Sequence, residues 1–290
     1  MKSKVDLTDP KVRELISRLE ERGHEAGAAV TRFNNSVRPV YVYERGGRQA
    51  EQIGSCVLLR IRDDYFVLSA AHVFDPNKNR QFLVGCGTKL HELTGERLRS
   101  APGPSGSHRD DPLDAAVVHL AGAINTEIKS ACLYLDQFDF NPQSEPRNFH
   151  VVKGYRVKRS RVVGNQAGSE LDTYSSTEYS DDDYVRLGVN RSRQIAISFD
   201  DYLRVGQEWQ KSPTPIGMSG GAIFRVAGVP SDLNLNLAPP STPLLSGILI
   251  EYRPSPLDGL PAIIGQSPLG THFKIFIGCR KIDVMKDNEF

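Results

Sequence analysis

Pro213-Thr214-Pro215-Ile216-Gly217-Met218-Ser219-Gly220-Gly221-Ala222-Ile223-Phe224 is the stretch on which the reading of this chain turns. Its prolines and glycines mark a loop, and from Ala222 the residues are β-like, so a serine sits between glycines where a loop runs into a strand. Glycine takes positive φ without steric cost and lets backbone approach a ligand closely. Such a loop can aim backbone N–H groups at a developing oxyanion beside a nucleophilic hydroxyl. Alone the pattern is ambiguous. A histidine upstream and an aspartate between the two give it meaning.

Working outward, nearly everything after residue 36 reads as β. Val37–Tyr43, Ser55–Arg62, Tyr65–Ser69, Gln81–Cys86 and Ala115–Leu120 form one series of strand-like runs. His150–Val157, Arg161–Val163, Gln194–Phe199, Gly221–Val226, Leu244–Ile250 and His272–Ile277 form a second. Leu135–Arg147, poor in β-branched residues, reads as the linker between them. Many short strands in two halves argue for an all-β fold of paired barrels or sandwiches. Three segments read as long loops: Ala101–Pro112, Gln166–Asp183 and Ala227–Pro243. The second ends in the acidic run Ser180–Asp183. It lacks the alternating ligands and central glycine of a calcium loop, so it reads as solvated. At the other end, residues 9–23 predict an amphipathic helix. Asp9 caps it, Pro10 opens it, and Val12, Leu15, Ile16 and Leu19 share one face. Gly23 reads as a stop, with helix resuming through Glu25–Arg32.

With 290 residues, 39% apolar and 24% charged, the chain can bury a sizeable core without staples. A net charge of +1 offers no footprint for nucleic acid or an anionic membrane. No apolar stretch approaches the roughly 20 residues that span a bilayer. The N-terminus carries no apolar signal region. Cys56, Cys86, Cys132 and Cys279 lack CxxC spacing, so neither a zinc site nor any other metal or cofactor is expected. The expected setting is cytoplasmic, with reduced thiols.

Tyr65–Val73 is an apolar strand ending in Ser69-Ala70-Ala71-His72, which leaves the His72 ring at a strand end where it can reach a cleft. Asp110-Asp111-Pro112-Leu113-Asp114 places an acid directly before the apolar strand AAVVHL. His72, Asp114 and Ser219 then follow the order His–Asp–Ser. LSAAHV resembles the TAAHC box of the trypsin/chymotrypsin-like serine peptidases, DAAVVHL their DIALL box, and GMSGGAIF their GDSGGP box. SGILIEY is similar to the strand lining their primary specificity pocket. The chain looks like a cytosolic bacterial member, over about residues 36–280. The resemblance implies two six-stranded antiparallel β-barrels in a peptidase domain, 36–290. The first barrel would cover about 36–134 and the second about 148–285, behind an N-terminal helical extension, 1–35. It implies a serine endopeptidase with His72, Asp114 and Ser219 catalytic and the N–H groups of Gly217 and Ser219 as oxyanion hole. Pro213 would form the base of the substrate pocket, and Ile250, Glu251 and Tyr252 its wall. Pro213 is not acidic, which predicts a small or apolar residue before the scissile bond.

The departures are as informative. Met218 stands where secreted members carry an aspartate that pairs with a freshly cut N-terminus, so activation by N-terminal cleavage is not expected. Val73 replaces a cysteine, removing a disulfide and leaving Cys56 a free, buried thiol. Ile250 replaces a serine that supports the aspartate. Control is expected instead from loop ordering, with the 166–183 segment and the N-terminal helix as candidates, or from a regulatory partner protein. Two other readings compete. A pseudoprotease would bind without catalysis. An α/β-hydrolase would use Gly217–Gly221 as its Gly-x-Ser-x-Gly turn with Asp258 and His272, and needs a parallel sheet with a helix after the serine.

Overall fold

The computed structural model describes residues 9–44, 49–75, 80–134, 149–164, 166–205, 208–227, 242–254 and 260–267. The linker at 135–147, most of the 227–243 loop, the run 272–277, Asp258 and Cys279 lie outside them.

Helix α1 spans Pro10–Thr31, with Pro10 in its first turn. The Asp9 carboxylate accepts the Lys11 N–H at 2.8 Å. The helix does not stop at Gly23. Glycine costs about 1 kcal/mol in a helix interior, less than is gained by burying the turns beyond it: Ala26, Val30 and Phe33 are sealed in the core. Phe33 stacks flat on Phe224, with ring centroids 5.1 Å apart.

The strands in chain order are β1 (Val37–Glu44), β2 (Glu51–Ile61), β3 (Asp64–Ser69), β4 (Arg80–Cys86), β5 (Lys89–Glu92), β6 (Gly95–Arg99), β7 (Ala116–Leu120) and β8 (Leu133–Tyr134). Helix α2 (Thr126–Ala131) precedes β8. Then come β9 (Phe149–Tyr155), β10 (Arg161–Val163), β11 (Gln166–Gly168), β12 (Leu171–Thr177) and helix α3 (Asp181–Leu187). The chain continues through β13 (Gln194–Ser198), β14 (Tyr202–Val205), β15 (Glu208–Lys211), β16 (Ala222–Ala227), β17 (Thr242–Arg253) and β18 (Ala262–Gln266).

The first sheet runs β10-β11-β5-β4-β1-β2-β3-β7-β6, with β8 alongside β2. Its pairings are antiparallel except for β2 with β8. The hairpin β10–β11 joins it by the pair Gln166↔Lys89, although it follows β9 in sequence. The second sheet is six-stranded, β12-β9-β16-β17-β18-β13, and antiparallel throughout. β14 and β15 form a separate hairpin. One apolar core spans both sheets, joining Val57, Leu58 and Val118 of the first to Val151, Phe224 and Leu245 of the second. Cys56, Cys86 and Cys132 are buried and unpaired within it. Burial pushes the Cys132 thiol up to about 12 and the Cys56 thiol higher still.

The 166–183 segment is not a loop. It holds β11, β12 and the start of α3. β12 is an edge strand with alternate residues half-buried; its Ser and Thr side chains disguise the period-2 pattern. The acidic run is a helix start: Ser180 is the N-cap, Asp181–Asp183 form the first turn, and Gly188 closes the helix at φ 63°.

Candidate active site

β3 and β7 are antiparallel neighbours with Ser69 opposite Ala116. That register alone sets the end of β3 against the start of β7, and so His72 against Asp114. His72 lies in a short 3₁₀ turn, Ala71–Phe74. Asp114 adopts φ 38°, a conformation aspartate tolerates better than most residues. Its backbone carbonyl accepts the Ala71 N–H at 3.1 Å. Its side chain receives the His72 backbone N–H on Oδ1 at 2.8 Å and lies 2.5 Å from His72 Nδ1 through Oδ2. Both carboxylate oxygens are thereby committed to one residue. A carboxylate accepts, so Nδ1 carries the proton and Nε2 is left with the lone pair. Burial pushes the Asp114 carboxyl above its ordinary value, against the downward pull of the His72 hydrogen bonds and charge.

The serine arrives from the second half of the chain. Its carbonyl accepts the Ser55 N–H of β2 at 2.7 Å. Gly220, at φ 83°, follows in a place where a Cβ would lie 2.1 Å from both the Ser55 carbonyl oxygen and Ser69 Oγ, so only glycine fits. Gly220 N–H donates to the Leu249 carbonyl, and Leu249 N–H to that of Gly221, pinning the loop to β17. Upstream, Met218 N–H reaches the Pro215 carbonyl at 3.0 Å, and Gly217 has φ 89°. These are the marks of a type II turn over Pro215–Met218. The N–H groups of Gly217 and Ser219 meet no acceptor among the described residues.

His72, Asp114, Ser219 and Gly217 line one open cleft of about 600 Å³. No hydrogen bond joins His72 Nε2 to Ser219 among the described residues; such bonds are often loose without substrate. Ile250, Glu251 and Tyr252 line the same cleft. A bulge in β17 between Leu249 and Glu251 turns this segment. Tyr252 packs edge-on against Phe199 at 5.0 Å, and Glu251 pairs with Arg253 at 2.9 Å. Pro213 is not among the lining residues. Its carbonyl accepts the Tyr174 hydroxyl instead, and Pro215 and Ile216 border the cleft. Arg109 and Gln194 also border it. Sequence alone marked the Arg109 loop only as a loop, and carried no signal for Ser55. Among the described residues, no helix is long and apolar enough to cross a membrane, and no three metal-binding side chains cluster.

No protein-family model matches the chain, and no curated protein does. Solved structures do. Neuropsin, a serine protease expressed in the limbic system of mouse brain, aligns over 84% of this chain and 93% of its own at a TM-score of 0.50 and 14% identity. Granzyme C aligns over 85% and 94%, at 0.50 and 16%. The fold is that of the trypsin-like serine proteases. In this trypsin-like fold the sheets are antiparallel apart from the short β2–β8 pair, and Ser219 leads into strand β16 rather than a helix, so the α/β-hydrolase reading falls.

Proposed function

We propose that this protein is a serine endopeptidase acting through His72, Asp114 and Ser219. What carries the reading is the His72 ring, paired through Nδ1 to a buried carboxylate, in the same cleft as a serine that follows a positive-φ glycine turn. Serine is a weak nucleophile near neutral pH and needs a base. His72 Nε2 takes the Ser219 proton as Oγ attacks the scissile carbonyl. Asp114 keeps the imidazole in the required tautomer and stabilises the imidazolium. The Gly217 and Ser219 N–H groups receive the oxyanion, a contribution of about 2.7–4 kcal/mol per donor. As the tetrahedral intermediate collapses, His72 returns the proton to the leaving amine. Water then repeats the sequence on the acyl-enzyme.

The substrates are proteins or peptides, with a small or apolar residue before the scissile bond. Ile216, Ile250 and Tyr252 offer apolar surface in the cleft, and Glu251 is neutralised by Arg253. Buried unpaired thiols support a cytoplasmic setting. Cleavage of a randomised peptide library by the wild-type chain, with Ser219→Ala as control, tests the assignment. Expected is cleavage after small or apolar residues that vanishes in the variant. Cleavage that persists in Ser219→Ala, or a folded wild type that cleaves nothing, refutes it; the second result would favour a pseudoprotease.

A further inference from the structure

We propose that Met218 is a positioning residue whose apolar burial presets the oxyanion turn, so the turn needs no cut chain end and no ion to assemble. The inference rests on the peptidase reading and concerns how that site is held. Type I and type II turns share the same closing hydrogen bond and differ by a flip of the central peptide, here Ile216–Gly217. The bond from Met218 N–H to the Pro215 carbonyl therefore cannot choose between them. A flip would reverse the Gly217 N–H and remove it as a donor beside Ser219.

The choice is made by packing on both sides of the turn. On the outer side, a Cβ at Gly217 would stand 2.5 Å from Val157 Cγ2 and 2.8 Å from Val157 N, so the turn lies hard against Val157. On the inner side, Met218 is 0% exposed. It shares an apolar cluster with Ile195, Ile197, Phe199, Ile223, Leu249 and Ile263. Gly154 of β9 makes the room for it: a Cβ there would meet Met218 Cβ at 2.9 Å, its carbonyl oxygen at 3.1 Å and Cε at 3.2 Å. Met218 thus plugs the second barrel between Gly217 and Ser219, and moving the plug moves both donors. A thioether is flexible enough to fill such a site and carries no charge to titrate.

The test compares wild type with Met218→Ala and Met218→Leu in the full chain. It uses a cleaved peptide substrate, a peptide boronic acid that forms a tetrahedral adduct on Ser219, and a non-cleavable peptide of the same sequence. Loss of an oxyanion donor costs on the order of 100-fold in kcat. We expect that loss in Met218→Ala, with KM and non-cleavable peptide affinity nearly unchanged and boronate affinity falling in step with kcat. Met218→Leu restores most of the activity. If Met218→Ala fails to fold by circular dichroism, Gly154→Ala presses on the same contact from β9 and is expected to give the same split. An active wild type beside a folded Met218→Ala, or folded Gly154→Ala, of unchanged kcat and boronate affinity overturns the inference alone. A wild type that neither cleaves nor binds boronate overturns the peptidase reading with it.

Discussion

At His72, the acceptor on one side of the ring decides what the other side can do. Asp114 can only accept when ionised, so Nδ1 must donate and Nε2 is left with the lone pair that the proposed mechanism uses. An asparagine at 114 can turn its NH₂ toward Nδ1 and impose the opposite tautomer. Asp114→Asn is expected to lower kcat roughly 10⁴-fold with KM little changed, measured with any cleaved peptide. The same residue carries a pH signature. Burial holds its carboxyl above the ordinary value, so above 3.8 the native state keeps a proton that the unfolded chain has lost. Stability contributed this way is present below that pH and is lost as pH rises through the native ionisation. Asparagine does not titrate. Thermal melts should therefore show Asp114→Asn gaining on the wild type as pH rises through the window. A gap that does not change with pH contradicts the burial account.

At the scale of elements, α1 packs through Ala26 and Val30 into the core that spans both sheets, and Phe33, just beyond its end, joins it there. Phe33 is 3% exposed and stacked on Phe224 of β16. Phe33→Ala is expected to cost about 3–5 kcal/mol, read by urea unfolding. A loss below about 1 kcal/mol would mean the helix end is dispensable. The chain's pattern disclosed the start of α1, because Asp9-Pro10 is a local cap, but not its end. Gly23 is a local stop overruled by burial of Ala26 and Val30, which depends on where the barrel lies. Segment 166–183 hid for a related reason. β12 is a polar edge strand with no continuous apolar run. The start of α3 did carry a local signal, Ser180-x-x-Asp183, that its acidic composition disguised as loop: Ser180 Oγ accepts the Asp183 N–H at 3.4 Å.

Across the whole molecule, the two halves meet at Ser55. Its N–H holds the Ser219 carbonyl at 2.7 Å, its Oγ accepts the Tyr155 N–H of β9 at 2.8 Å, and its carbonyl accepts Ser69 Oγ at 2.7 Å. Ser55→Ala keeps the first and third bonds and strands the buried Tyr155 N–H. A loss of about 1–3 kcal/mol is expected in chemical denaturation. Such a hub joins residues 55, 69 and 155 of three strands to residue 219 of a loop, so no local pattern reveals it. His72, Asp114 and Ser219 were legible because each sits in a short box where small or acidic residues interrupt an apolar strand. Pro213 gives its carbonyl to the Tyr174 hydroxyl and is not among the residues lining the cleft. The proposed catalysis requires one hydroxyl to be activated by one ring. Labelling of the native full chain with a fluorophosphonate, with the adduct mapped by mass spectrometry, measures that directly. A single adduct on Ser219, absent in Ser219→Ala and slowed at least about 100-fold in His72→Ala, is predicted. A folded chain that never takes the label on Ser219, or takes it equally well without His72, contradicts the account.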